Sequence, residues 1–85
     1  MWISKIIVNY KPGILDPEAK TIQHAFDSLG YKDINDLTTG KYFHLTFGKE
    51  VNKERAEELT KEVSDKLLSN PVIENYTFET KEAVE

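Results

Sequence analysis

Tyr31-Lys32-Asp33-Ile34-Asn35-Asp36-Leu37-Thr38-Thr39-Gly40-Lys41-Tyr42-Phe43-His44-Leu45-Thr46-Phe47 lies in the middle of the chain and sets its topology. The second half alternates. Phe43, Leu45 and Phe47 share one parity with Lys41, while Tyr42, His44 and Thr46 take the other, which is the period of a half-buried strand. The first half reads as a weaker strand anchored by Ile34 and Leu37, and Gly40 separates the two. Two consecutive strands are therefore expected here, with Gly48 closing the second.

Upstream, Trp2 to Tyr10 is rich in β-branched and aromatic residues and reads as a central strand. Ile6, Val8 and Tyr10 share one face and Ile3 and Ile7 the other. Lys11-Pro12-Gly13 ends it. A helix follows, with Asp16 as its cap and Pro17 at the first helical position, where a missing N–H costs nothing. Glu18 suits the positive end of the helix dipole. Ala19, Ile22, Phe26 and Leu29 form an apolar stripe, and Gly30 stops the helix.

Downstream, Asn52 caps a second helix with the stripe Ala56, Leu59, Val63 and Leu67. Glu57–Lys61 and Glu62–Lys66 stand at the supportive i,i+4 spacing. Asn70-Pro71 ends it. Val72 to Thr80 is the last expected strand, with Tyr76 and Phe78 on one face. A single domain over residues 1–80 and a frayed tail over 81–85 complete the reading.

The expected order is β-α-β-β-α-β. This is the split βαβ pattern of a ferredoxin-like α+β sandwich, a four-stranded antiparallel sheet with two helices on one face. The uncovered sheet face would carry Ile3 and Ile7, and an exposed apolar face tends to recruit a partner. Self-association through that face or through an unpaired edge is expected.

Composition narrows the function classes. Eighty-five residues make one domain and one modest core. The hydrophobic fraction of 39% beside a charged fraction of 31% fits a globular chain rather than a disordered one. No apolar run approaches the roughly 20 residues of a membrane span, and no leader pattern marks secretion. The absence of cysteine removes disulfides, thiolate nucleophiles and cysteine-based zinc sites, and suits a reducing cytoplasm. Eleven basic residues against 15 acidic ones give a net charge of −4, and Arg55 is the sole arginine. A binder of phosphate backbones gathers cations on one face, so nucleic acid is not expected as a partner.

The candidate chemistry is sparse. His24 lies on the polar side of the first helix, and His44 faces away from the Phe43-Leu45-Phe47 row. Neither has a second ligand at metal spacing. The serines lack a nucleophile-elbow context. The aromatic strand after Gly40 has a superficial likeness to an RNA-recognition strand, but the acidic balance opposes that use. No catalytic residue, metal site or cofactor site is expected. The residues alone describe a binding or assembly module. A regulatory dimer that binds a small metabolite at its interface is the alternative.

Three segments taken together carry a resemblance over nearly the whole chain. They are Lys11-Pro12-Gly13-Ile14-Leu15-Asp16-Pro17; Leu29-Gly30-Tyr31 followed by Gly40-Lys41-Tyr42; and Leu67-Leu68-Ser69-Asn70-Pro71-Val72-Ile73-Glu74-Asn75-Tyr76. Their order and spacing resemble the PurS family, the small subunit of phosphoribosylformylglycinamidine synthase of de novo purine synthesis. The resemblance implies a non-catalytic adaptor that forms a homodimer or dimer of dimers. It would dock a glutaminase subunit to a large ATP-dependent synthetase subunit for ammonia transfer. ATP, Mg and glutamine would serve the complex rather than bind this chain. The subunit-contact candidates it implies are Lys11, Pro12, Gly13, Asp16, Pro17, Gln23, His24, Gly40 and Lys41. Two positions depart from the family pattern. Ala19 stands where a glycine is frequent, and Thr38 stands where a basic residue is frequent.

Overall fold

The computed structural model describes residues 1–83. Its elements are β1 (Trp2–Tyr10), α1 (Pro17–Leu29), β2 (Gly40–Thr46), α2 (Lys53–Val63) with a π-helical turn over Ser64–Leu68, and β3 (Glu74–Glu82). The sheet is antiparallel, three-stranded and ordered β2-β1-β3, so β1 is central as its composition suggests.

The expected four-stranded sheet is corrected by this topology. Residues 31–39 form a loop rather than a strand. Ile34 and Leu37 are three apart, so in a strand they would point to opposite faces and could not share a core. Asp33, Asn35 and Asp36 between them are poor strand formers whose side chains compete for backbone hydrogen bonds. The polar groups of this loop are used elsewhere: Asp36 Oδ1 accepts from Gln23 Nε2 at 3.1 Å, and Thr39 bonds to Asp16. Gly40 does not break two strands apart; it opens β2 by pairing with Asn9.

Register puts Ser4, Ile6 and Val8 on one face of β1, beside Leu45, Phe43 and Lys41 on β2 and Thr80, Phe78 and Tyr76 on β3. Ser4, Ile6 and Val8 are buried, and α2 packs over this face through Ala56, Thr60 and Ser64, which are buried as well. These three small residues recur every four positions and let the helix approach the sheet closely. Thr60 Oγ1 lies 2.7 Å from both Ser4 Oγ and the Ala56 carbonyl, and Ser4 Oγ lies 2.8 Å from Thr80 Oγ1. One proton per hydroxyl satisfies all three contacts if Thr80 donates to Ser4, Ser4 to Thr60, and Thr60 to Ala56 O.

The sequence predicts a second helix that Asn70-Pro71 ends, with Leu67 in its apolar stripe. Instead its last turn widens, with Ser69 N–H reaching back five residues to the Ser64 carbonyl at 3.0 Å. The extra residue shifts the 3.6-residue period, and Leu67 leaves the buried stripe, 79% exposed.

The first helix is capped as its sequence suggests. Asp16 accepts from Ala19 N–H, and Gly30, at φ 85°, closes the C-terminus while Tyr31 N–H bonds to Phe26 O at 3.0 Å. Yet α1 barely touches the sheet, and only Ala19 of its stripe is buried. The expectation that both helices cover one sheet face therefore holds for α2 alone. Lys81 and Glu82, expected in a frayed tail, pair with Ile3 and Trp2 in β3, and Ala83 N–H bonds to Met1 O at 2.8 Å. The rest of that expected tail, 84–85, lies outside the described residues.

Candidate functional site

Where β1 ends, three segments meet: the loop from Tyr10 to Leu15, the first turns of α1, and residues 36–39 ahead of β2. They enclose a cleft of about 580 Å³. Local rules explain each wall. Pro12 and Gly13 turn the chain after β1, with Ile14 N–H bonded to Lys11 O at 3.1 Å, and Lys11 N–H is tied to Ile73 O at 2.8 Å. Pro17 then starts the helix.

Asp16 joins two of these walls. Its Oδ1 accepts from Ala19 N–H at 2.9 Å, while Oδ2 accepts from Thr39 N–H at 3.1 Å and Thr39 Oγ1–H at 2.8 Å. The Ala19 amide, aided by the Thr39 hydroxyl and amide, holds the Asp16 carboxyl below its ordinary value. Asn9 Nδ2 donates to Thr39 O at 3.3 Å from the β1 side. Gln23 to Asp36 closes the far end.

Of the residues singled out from sequence, Lys11, Pro12, Gly13, Asp16 and Gln23 come together on this cleft. Gly40 and Lys41 line a small adjoining recess of about 70 Å³ with Glu18 and Glu74. Pro17 and His24 are exposed on α1 and line neither. Lys11 also borders a second cleft, about 280 Å³, against Pro71 and Tyr76. Burial and the adjacent Asp65 push the Tyr76 hydroxyl up from its ordinary value, and that hydroxyl donates to Asp65 Oδ1 at 2.8 Å.

Sequence reasoning missed Asn9, Lys20, Asp36 and Thr39. The first three carry no local signal beyond polarity. Thr39 falls at the end of the expected strand 31–39, and nothing in the linear sequence couples it to Asp16, 23 residues earlier. Chemically, the cleft offers two ammonium groups, Lys11 and Lys20, balanced by two carboxylates, Asp16 and Asp36, with amides and apolar walls between them. It can seat and orient a group, and the described residues supply no hydroxyl–imidazole–carboxylate relay there.

Comparison with known proteins gives a consistent result. A family model described as PurS, phosphoribosylformylglycinamidine (FGAM) synthase, matches residues 3–82. A phosphoribosylformylglycinamidine synthase subunit PurS from Bacillus subtilis is 39% identical over 84 residues, covering 99% of this chain and 98% of that one. The crystal structure of Methanocaldococcus jannaschii PurS, described as a subunit of formylglycinamide ribonucleotide amidotransferase, superposes with a TM-score of 0.86 at 32% identity, covering 99% of this chain and all of that one. A chain in the structure of PurLQS from Thermotoga maritima gives a TM-score of 0.80 at 32% identity, with 95% and 99% coverage.

Proposed function

This chain belongs to the PurS family of phosphoribosylformylglycinamidine synthase subunits, and from that premise we propose that it is the adaptor of that enzyme in purine biosynthesis. It docks a glutaminase subunit on the ATP-dependent synthetase subunit, so that ammonia passes between their sites without loss to water. Ammonia that escapes is diluted and protonated, and a protonated amine is no nucleophile. The adaptor contributes geometry, and the reacting groups belong to its partners. ATP, Mg and glutamine are used by those partners.

The single observation that carries this reading is the match, along 95% of the chain, to a chain found in a PurLQS assembly. The architecture agrees with it. The protein buries little of its own apolar surface and holds a preformed cleft at one end, which suits a module completed by other chains. A homodimer or dimer of dimers is the form in which it works. Among the described residues no helix is long and apolar enough to cross a membrane.

Reconstitution tests the reading. The synthetase and glutaminase subunits are mixed with and without this chain, and glutamine-dependent amidine formation is measured. Addition of the chain is expected to raise the rate at least about tenfold. Equal rates in the two mixtures would overturn the assignment.

A further inference from the structure

The π-helical turn that ends α2 is costly in itself. It spans Ser64–Leu68, and such widened turns are rare and tend to mark functional places. Two features of this one add to the cost. Leu67 is 79% exposed, although it follows Val63 by four residues and an unbroken α period would carry it onto the apolar stripe. Ser64 Oγ is buried and has no hydrogen-bond partner among the described residues. That hydroxyl has lost its hydration with no bond to replace it.

Local strain of this kind persists only where the surroundings impose it. Here two hydroxyl groups do so. Ser69 Oγ donates to the Ser64 carbonyl at 2.8 Å, beside the Ser69 N–H at 3.0 Å, and together they close the wide turn. Tyr76, on β3, donates from its hydroxyl to Asp65 Oδ1 at 2.8 Å and ties the turn to the sheet. A hydrogen bond adds only a modest net free energy, so these bonds oppose the covering of Leu67 on nearly equal terms.

We propose that residues 64–69 form a two-state turn, π-helical with Leu67 outward or α-helical with Leu67 on the stripe, and that Ser69 and Tyr76 set the balance. In the α form the Ser64 carbonyl passes from the Ser69 N–H to the Leu68 N–H, and the tighter period swings Leu67 toward the sheet. Ser69 and Tyr76 also line the second cleft, beside Lys11 and Pro71. The turn and that cleft therefore change shape together.

The chain contains no cysteine, so a single one introduced at position 67 reports its own exposure. Leu67→Cys is made in the full chain, alone and together with Ser69→Ala/Tyr76→Phe. Alkylation of the thiol by iodoacetamide is timed, and circular dichroism checks folding. Lys61→Cys, at an exposed position of α2, is the control in both backgrounds. With both hydroxyls in place, the thiol at 67 is expected to react as readily as the one at 61. With both removed, it is expected to react at least about tenfold more slowly, while the control does not change. An unchanged rate at 67 in the folded double variant overturns the proposal, because the turn then keeps its form without its two bonds. A faster rate overturns it as well, because the turn then frays instead of tightening. Protection at 67 relative to 61 while both hydroxyls are present means that Leu67 is not outward, and the proposal falls. Should the double variant fail to fold, Ser69→Ala alone takes its place. A measurable slowing is then expected, and an unchanged rate is again the overturning result.

Discussion

Gly40 opens β2 directly against the end of β1. A Cβ built on it would come within 2.6 Å of the Val8 carbonyl oxygen and 2.5 Å of Asn9 Nδ2. The amide could turn away, but the carbonyl belongs to the central strand and cannot. Gly40→Ala is therefore expected to prise β1 and β2 apart at the cleft and to cost about 1–3 kcal/mol, read as a lowered urea midpoint with little change in slope. Asp16 makes a different prediction. Its carboxyl is held below the ordinary 3.8 in the folded protein, so its contribution is fully present above that value and is lost as pH falls through the lower folded one. Asn caps helices well but does not titrate. Asp16→Asn should thus lose less stability than wild type between pH 5 and about pH 3, as measured by urea unfolding at each pH. A parallel acid loss in both proteins would remove Asp16 from the account.

At the scale of elements, the sheet and α2 are joined by a line of hydroxyls where a larger protein would use hydrocarbon. Thr60→Val keeps the shape but strips one member from the chain Thr80–Ser4–Thr60, leaving buried oxygens short of partners. It is expected to cost about 1–2 kcal/mol. Adding Ser4→Ala should cost less than the sum of the single changes, because the two side chains share one hydrogen bond. A strictly additive cycle would show that the contact is energetically idle. The same elements show what the sequence makes legible. A β-branched, aromatic run marks β1, alternation marks β2, and the Asp16, Asn52 and Gly30 caps mark the helix ends, because those signals are local. The segment 31–39 misled because Ile34 and Leu37 suggest a strand until their odd spacing is weighed. The cleft was half legible. Lys11, Pro12, Gly13 and Asp16 stand together in sequence, whereas Thr39 and Asp36 reach the cleft only through tertiary contacts that no periodicity reveals.

The whole molecule is too open for its length. Its radius of gyration is 16.7 Å, and its extents are 52 × 32 × 14 Å. A compact chain of this size has a radius of roughly 12 Å. The fully buried apolar residues among those described are Ile6, Val8, Ala19 and Ala56, two of which are alanines. Meanwhile Leu29, Tyr31, Tyr42 and Val72 are each more than half exposed. Among the described residues, both outer sheet edges, on β2 and β3, are also without a neighbouring strand. Burial at about 25 cal/mol per Å² is the main force available against chain entropy, and one protomer alone uses little of it. A second copy laid on these surfaces would supply the missing burial. Folding and association should then be linked, and the melting temperature should rise with protein concentration. Thermal melts spanning a hundredfold in concentration, on the order of 1 to 100 μM, are expected to shift upward by several degrees. Light scattering in the same range should give at least twice the protomer mass of 9.8 kDa. A concentration-independent melt together with a protomer-sized particle would mean that this thin fold stands alone, and the argument from its missing core would fail.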